Sequence, residues 1–412
     1  MNIDLMRKVD YFAGVPLCAL ATPFVRLASL FSTQKILTTR KVLFIELSEM
    51  GSAILVDPAM RKMQTVANAE LFFVIFEGNA ASLRLLNTVP IANVFTIREN
   101  NMLNLAIDSL RFLAWTRKNN IDTVIDLELF SRYSALLTGL CGAVKRVGFH
   151  AFYNEGLYRG AMLTHRVAYN PTLHIAKNFI ALVNAALSNK QEIPYSKTII
   201  SDSEVKLARA PVVESVISDM RKRILDAFPN YDETRHKIVL INPNASDLLP
   251  QRRWMPEHFV TVMRDLLEKS EDILVLITGA PAEREQAENL KKQVAHVRCV
   301  NFAGKQKLEE LPALYQIAEL MLTNDSGPGH FSSVTDLRTF VLFGPETPLL
   351  YGSLGNSTPI YAGLACSPCV SAANHRKTPC SDNVCLQTIK PETVLTQLRE
   401  ALAHKMLTKN NG

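Results

Sequence analysis

Residues 323 to 347 place an acid (Asp325), a hydroxyl (Ser326), two glycines (Gly327 and Gly329) and an imidazole (His330) between two apolar stretches. A glycine-rich turn that opens a helix after a buried strand points bare backbone N–H groups and a positive dipole end at a ligand, which is how a chain holds phosphate. Ser326 and His330 add side-chain donors. The next apolar stretch closes on Gly344-Pro345-Glu346-Thr347, so two loops can converge on one anion. Asp-Ser-Gly is also an ordinary N-cap string, and a plain strand–turn–helix with a capping acid is the competing reading.

A second group lies upstream in the same half of the chain. Asn242-Pro243-Asn244-Ala245-Ser246 follows an apolar run, and Gln251-Arg252-Arg253-Trp254-Met255-Pro256 comes soon after. Asn244 and Ser246 are small polar groups suited to phosphate, and Arg252 or Arg253 can present a cationic fork to a diphosphate. A fixed cation there stabilises a departing nucleoside diphosphate more in the transition state than in the ground state. Solvated arginines before a Trp-anchored helix would read the same way. The third group is Cys366-x2-Cys369 with Cys380-x4-Cys385, whose spacing suits a tetrahedral structural zinc site, with His375 as a substitute ligand, a pair of disulfides, or plain buried thiols.

These groups need a scaffold, and the hydropathy pattern supplies one. Apolar runs at 40–47, 71–76, 94–97, 123–127 and 144–149 alternate with helical stretches, and a long amphipathic helix is expected over 174–188. After a looser stretch the alternation restarts, with strands expected at 237–241, 273–277, 297–301, 320–322 and 339–343. Short strands alternating with helices predict doubly wound α/β layers with right-handed crossovers. The expected division is an apolar segment over 1–35, a first Rossmann-like domain over 36–190, a linker over 191–235, and a second Rossmann-like domain over 236–400 carrying the four-Cys loop 366–385. Such domains place ligands at the carboxyl ends of their strands.

Asp-Ser-Gly-x-x-His followed by a strand ending in Phe-Gly-Pro-x-Thr resembles the signature of glycosyltransferase family nine, the ADP-heptose:lipopolysaccharide heptosyltransferases. The resemblance spans residues 40 to 395, more strongly in the second half. It implies a GT-B fold, two Rossmann-like domains facing a central cleft, and an inverting transfer that needs no metal. It carries donor contact to Asp325, Ser326, Gly327 and His330; Gly344, Asn244 and Ser246, singled out by their place at strand ends, are expected to join them. The family's basic-x-Trp-Pro segment matches at Arg252 as a donor and catalytic residue, with Met255 where proline is common. In the first half, Leu47-Ser48-Glu49-Met50-Gly51-Ser52 matches a loop that in the family ends in Gly-Asp, the Asp being the expected general base. Ser52 cannot accept a proton at neutral pH without help, which makes Glu49 the candidate base and Glu46 a weaker one. Partners implied are an ADP-sugar donor and a lipid-linked saccharide acceptor. The absent Asp leaves a second reading, a catalytically impaired nucleotide-binding or membrane-associated scaffold of the same fold.

Composition agrees with a globular protein. The 412 residues are 48% hydrophobic and 20% charged, with a formal net charge of +6. That excess suits an anionic substrate or membrane surface and is too mild for nucleic acid. The first strand is followed by Glu-Met-Gly-Ser rather than Gly-x-Gly-x-x-Gly, which disfavours a dinucleotide oxidoreductase. From Tyr11 to Phe31 the chain is strongly apolar but carries Gly14, Pro16, Pro23 and Arg26. A membrane span wants about 20 uninterrupted apolar residues, so the segment is expected to lie on the cytoplasmic face of the inner membrane or to pack on the protein, with a signal peptide as the remaining alternative.

Overall fold

The computed structural model describes residues 3–31, 39–152, 157–190, 192–247, 249–372, 374 and 376–409. His375 and residues 32–35 of the apolar segment lie outside the described residues. The chain divides into two units, Met1–Lys206 and Leu207–Gly412.

The first unit is built on β1 (Lys41–Ile45), β2 (Glu70–Phe76), β3 (Val94–Ile97), β4 (Thr123–Asp126), β5 (Lys145–His150) and β6 (His165–Ala168). They pair in parallel in the order β3-β2-β1-β4-β5-β6. Apolar residues at nearly every position of β1 and β2, and burial of every residue of β4, match burial of both sheet faces beneath crossover helices. One face packs Leu43, Ile45, Phe72, Val74 and Val124 against Phe112 and Leu137 from the helices Met102–Lys118 and Arg132–Leu140. Between β2 and β3 the helical stretch is 3₁₀ rather than α, Glu77–Leu85, where Gly78 and Asn79 weaken α-helical propensity.

The apolar N-terminal segment forms two helices, Ile3–Phe12 and Gly14–Phe31, the second interrupted by Pro23. One side docks on the first unit. Asp10 Oδ1 accepts the backbone N–H groups of Arg132 and Tyr133, both at 2.9 Å, so an acid from elsewhere in the chain caps the helix Arg132–Leu140 at its positive end. Gly14 is required there, because a Cβ would sit 2.8 Å from Arg132 Cβ. Cys18, Val25, Ala135 and Met162 form a small core beneath. The other side exposes Phe12, Leu20 and Phe24, each at 65% or more. No single described helix is long and apolar enough to cross a membrane, while the two together, bent by 42°, meet the length and composition of a broken span.

The second unit repeats the plan with β7 (Lys237–Asn242), β8 (Ile273–Ile277), β9 (Cys299–Asn301), β10 (Leu320–Asn324), β11 (Arg338–Phe343) and β12 (Ser357–Tyr361). Their order is β12-β11-β10-β7-β8-β9, again all parallel. Val239, Ile241, Val275 and Leu322 pack against Phe259, Val262 and Met263 of the helix Pro256–Lys269 and against Leu395 and Leu398 of the C-terminal helix. The doubly wound α/β expectation is met in both units. In each sheet the winding reverses between the first and fourth strands of its series, β1/β4 and β7/β10. That reversal leaves a crevice at the strands' carboxyl ends, where open α/β sheets bind ligands.

Candidate functional site

In the second unit the β7/β10 crevice is closed by a side chain. Asn324, the last residue of β10, donates from Nδ2 to the Pro243 carbonyl at 2.7 Å and accepts the Trp254 N–H on Oδ1 at 3.0 Å. A neutral amide therefore ties the turn after β7 to the Arg252-Arg253-Trp254 segment. Trp254 is buried, and its indole N–H donates to the Ile389 carbonyl at 2.9 Å. Arg253 turns back to the Ala245 carbonyl and to Asp247. Arg252 is left pointing along the strand ends.

There it meets two acids. Arg252 Nε lies 3.3 Å from Asp325 Oδ2, and Nη2 donates to Glu346 Oε1 at 2.9 Å. Asp325 follows β10 and Glu346 follows β11, so three strand-end loops supply one cluster. Arg376 Nε stands 3.7 Å from the same Glu346 oxygen, its guanidinium over the Tyr351 ring. Both acids are buried. Burial pushes the Glu346 carboxyl up to about 7, against the pull of Arg252 and with the Asp325 charge adding to the rise. Burial raises Asp325 as well, opposed by Arg252. For Arg252 burial favours loss of the proton, but the two carboxylates outweigh it and hold the guanidinium charged. Arg252 is thus an arginine shared between two carboxylates rather than a lone cation.

The other expected donor residues surround this cluster unevenly. Asn244 is buried, its Nδ2 3.5 Å from the Thr278 carbonyl, whereas Ser246 is exposed. Ser326 precedes the helix Gly327–Ser332 without capping it, its hydroxyl donating to the Asn324 carbonyl at 3.2 Å. That helix has six residues, so its dipole is short. His330 is half-buried on it. Gly344 faces inward, where a Cβ would meet Leu386 at 2.7 Å and Cys385 Sγ at 3.2 Å; close packing explains the glycine. Behind the same segment lies a cavity of about 350 Å³ between Pro243, Trp254, Pro256 and Leu290. Arg252 and Asp325 do not line it.

Sequence reasoning passed over Glu346 and Arg376. An acid directly after a buried strand, in Phe-Gly-Pro-Glu, is the signal that could have found the first. Arg376 sits in the four-Cys loop, and only the folded chain brings it to Glu346.

The four cysteines are free thiols. Cys366 is exposed, Cys369 and Cys380 are intermediate, and Cys385 is buried. Cys380 Sγ is 3.3 Å from Asp382 Oδ1, and Cys385 Sγ is 3.5 Å from Asn383 Oδ1. Among the described residues no group of three or more His, Cys, Asp or Glu is placed to hold a metal ion, so the zinc reading, one of the three open for these cysteines, finds no assembled ligand set there. Cys380 and Cys385 make these local contacts, and Cys385 also packs against Gly344. The loop does brace the charged cluster, since Gln251 Nε2 donates to the Cys380 carbonyl at 3.1 Å and Asn383 Nδ2 to the Arg253 carbonyl at 3.3 Å.

In the first unit the expected acceptor loop follows β1. Ser52 Oγ donates to Glu49 Oε2 at 3.2 Å, and Glu49 stands at the N-cap of the helix Met50–Leu55. Glu46 is buried in the strand end. The β1/β4 crevice is crossed by a residue not singled out from the sequence, Glu128, whose Oε1 accepts the Leu47 N–H at 2.8 Å and the Ser48 N–H at 3.2 Å.

Comparison with known proteins places these features in a family. Residues 110–378, more than half of the chain, match the profile of glycosyltransferase family 9 (heptosyltransferase). Lipooligosaccharide heptosyltransferase 2 of Campylobacter jejuni is 30% identical over 177 residues, 42% of this chain and 53% of that protein. The chain thus spans about half the length of the curated relatives it matches. Among solved structures, Escherichia coli ADP-heptose lps heptosyltransferase II superposes with a TM-score of 0.65 over 89% of this chain and 99% of its own, at 18% identity. Escherichia coli heptosyltransferase WaaC with ADP gives 0.61 over 88% and 99%, at 17% identity. The fold is that of these GT-B enzymes, and the chain belongs to glycosyltransferase family 9.

Proposed function

We propose that the protein transfers a heptose from ADP-heptose to a saccharide of the lipopolysaccharide core, with inversion at the anomeric carbon. The observation that carries this reading is the buried Arg252–Asp325–Glu346 cluster at the strand ends of the second unit. A diphosphate arriving there competes with the carboxylates for Arg252, and Glu346, being near its midpoint at neutral pH, can take up a proton as the anion binds. Arg252 then offsets the charge that grows on the leaving ADP as the glycosidic bond breaks. Asp325, Ser326, Gly327, His330 and Asn244 are the groups proposed to complete the donor site, and ADP is the nucleotide bound by the WaaC neighbour. The acceptor hydroxyl loses its proton to a carboxylate at the strand ends of the first unit.

The N-terminal helices support a second element of the reading, docking on an anionic membrane surface. Leu17, Leu20, Phe24 and Leu27 are exposed on a helix that also carries Arg26, which is the composition of an interfacial anchor. The acceptor, a lipid-linked saccharide, would be met at that surface. Incubation with radiolabelled ADP-heptose and lipopolysaccharide truncated before its heptoses tests the transfer. Labelled lipopolysaccharide is the expected result. ADP binding without any transfer would favour the scaffold reading that Ser52 suggests, and indifference to every nucleotide would sink both.

A further inference from the structure

The family loop that should end in Gly-Asp ends here in Gly51-Ser52, and the Ser52 hydroxyl is bonded to Glu49. Glu49 therefore shares its carboxylate with the residue it was expected to replace. The crevice between β1 and β4 holds another acid, in a setting that resembles a built catalytic position more closely.

Glu128 lies two residues beyond the end of β4, on a turn fixed from several sides. Its N–H donates to Asp126 Oδ1 at 3.2 Å, and its carbonyl accepts the Phe130 N–H at 3.0 Å. Phe130 adopts φ +68°, unusual for a bulky residue, and is held there by burial and by an edge-on contact with Tyr169. Asp126 is itself locked by Arg159 and by Ser134 Oγ at 3.1 Å. This turn sends the Glu128 side chain across the crevice to the end of β1. Oε1 takes the Leu47 N–H, the Ser48 N–H and the Ser48 hydroxyl at 3.2 Å. Oε2 keeps, among the described residues, one long contact of 3.5 Å to the same hydroxyl. One oxygen is thus a fixed hinge and the other is available to a substrate. Glu128 is only partly buried and Ser48 beside it is exposed, so an acceptor hydroxyl can reach the pair from solvent.

We infer that Glu128, oriented by Ser48 and the β1 turn, is the general base that deprotonates the acceptor hydroxyl. The step rests on the proposed glycosyl transfer. The acceptor oxygen forms its bond to the anomeric carbon as the bond from that carbon to the diphosphate oxygen breaks. The bonding pair leaves on ADP, and the hydroxyl proton passes to Glu128 Oε2 and then to solvent. Burial holds the carboxyl above the ordinary glutamate range, with the Leu47 N–H opposing the shift and Asp126 adding to it. A base so tuned is better matched to work near neutrality than an exposed glutamate. Facing groups are Asp126, already paired with Arg159, and the Ser48 hydroxyl.

The test compares wild type, E128Q and E49Q in heptose transfer from ADP-heptose to lipopolysaccharide truncated before its heptoses, with ADP binding and thermal melting measured alongside. E128Q keeps an oxygen that can accept the Leu47 and Ser48 N–H groups. The expected result is a kcat lower by about 10²- to 10⁴-fold, with ADP affinity and melting temperature unchanged, and loss of the acid limb that wild type shows in its kcat–pH profile. E49Q should stay within about threefold of wild type by the same measure of base catalysis. An active E128Q beside an inactive E49Q overturns the assignment. So does an E128Q whose melting temperature or ADP binding falls in step with kcat, since that outcome makes the residue a strut. A wild-type protein that binds ADP but transfers nothing defeats the transfer reading itself, and the base assignment with it.

Discussion

The two sheets end their fourth strands differently. β4 closes on an acid, Asp126, and β10 closes on an amide, Asn324. Asp126 pins the turn that follows it and Asn324 the turn after β7, but the charge on Asp126 demands a counter-ion, and Arg159 is committed to it. Arg159 also donates to the carbonyls of Ser131 and Phe149, at 2.8 and 3.1 Å. The arginine of the first unit is therefore part of the framework, and the acid near the crevice mouth is Glu128. Asn324 satisfies itself on neutral backbone groups. The second unit's arginine, Arg252, is left at the mouth, shared with Asp325 and Glu346. One topology thus yields a carboxylate-bearing crevice and an arginine-bearing one, and the residue at the strand end decides which.

Arg159→Ala is the strongest way to break this contrast. It strands Asp126, fully buried, without its partner, and removing one member of a buried ion pair typically costs about 3–5 kcal/mol. The chain has two tryptophans, Trp115 in the first unit and Trp254 in the second, so urea unfolding of W115F and W254F backgrounds reads the units separately. The loss should appear in the Trp115 signal. A loss below about 1 kcal/mol, the range of exposed pairs, would mean that Arg159 is no framework element.

Arg252→Ala should cost less, about 2–3 kcal/mol in the Trp254 signal, near or below the lower end expected for a broken buried pair. Glu346 can relieve the stranded charge by taking up a proton, since its carboxyl already stands at about 7. ADP binding, followed by calorimetry, should be lost in the same variant. A variant that is destabilised yet binds ADP as tightly as wild type would reduce Arg252 to a structural role. Asn324→Ala comes next, at about 1–3 kcal/mol, because it leaves the buried Trp254 N–H and Pro243 carbonyl without their partner. Unchanged unfolding of that variant would show that the amide does not hold the crevice.

Much of this architecture was legible beforehand because buried parallel strands are continuous apolar runs. β1, β2, β7, β8 and β11 stand out for that reason. The two strands missed from the sequence, β6 and β12, each lie at one edge of their sheet. His165-Arg166-Val167-Ala168 and Ser357-Thr358-Pro359-Ile360-Tyr361 each bury one residue, and Pro359 argues against a strand on its own. Among site residues, Arg252 and Asp325 were visible as neighbours of a Trp and of a glycine turn. Their sharing with Glu346 was not, since it depends on β11 lying beside β10. Glu128 was hidden in the same way. Its partners at 47 and 48 are some eighty residues away in sequence, and nothing in Asp-Leu-Glu-Leu-Phe announces that its side chain crosses to another strand end.

The smallest effect is the one that separates the crevices most sharply by charge. With Glu346 ionised, Arg252 and Arg376 face Asp325 and Glu346, and the four charges cancel. With Glu346 protonated the cluster carries one net positive charge. An incoming diphosphate prefers the second state, so binding takes up a proton and weakens as pH rises through about 7. If ADP raises the Glu346 pKa by one unit, affinity should fall by about tenfold in all across the transition, since one unit corresponds to 1.36 kcal/mol of differential interaction. Calorimetric titrations with ADP between pH 6 and 9, repeated in buffers of different ionisation enthalpy, would count the proton. The nucleotide's own phosphate ionisation works in the opposite direction, adding negative charge as pH rises. E346Q isolates the protein's share, and its affinity should lose the fall on the alkaline side. If E346Q follows the wild-type pH dependence, the buried acid is not the group that answers the ligand, and the second crevice is no more tunable by pH than a simple arginine clamp.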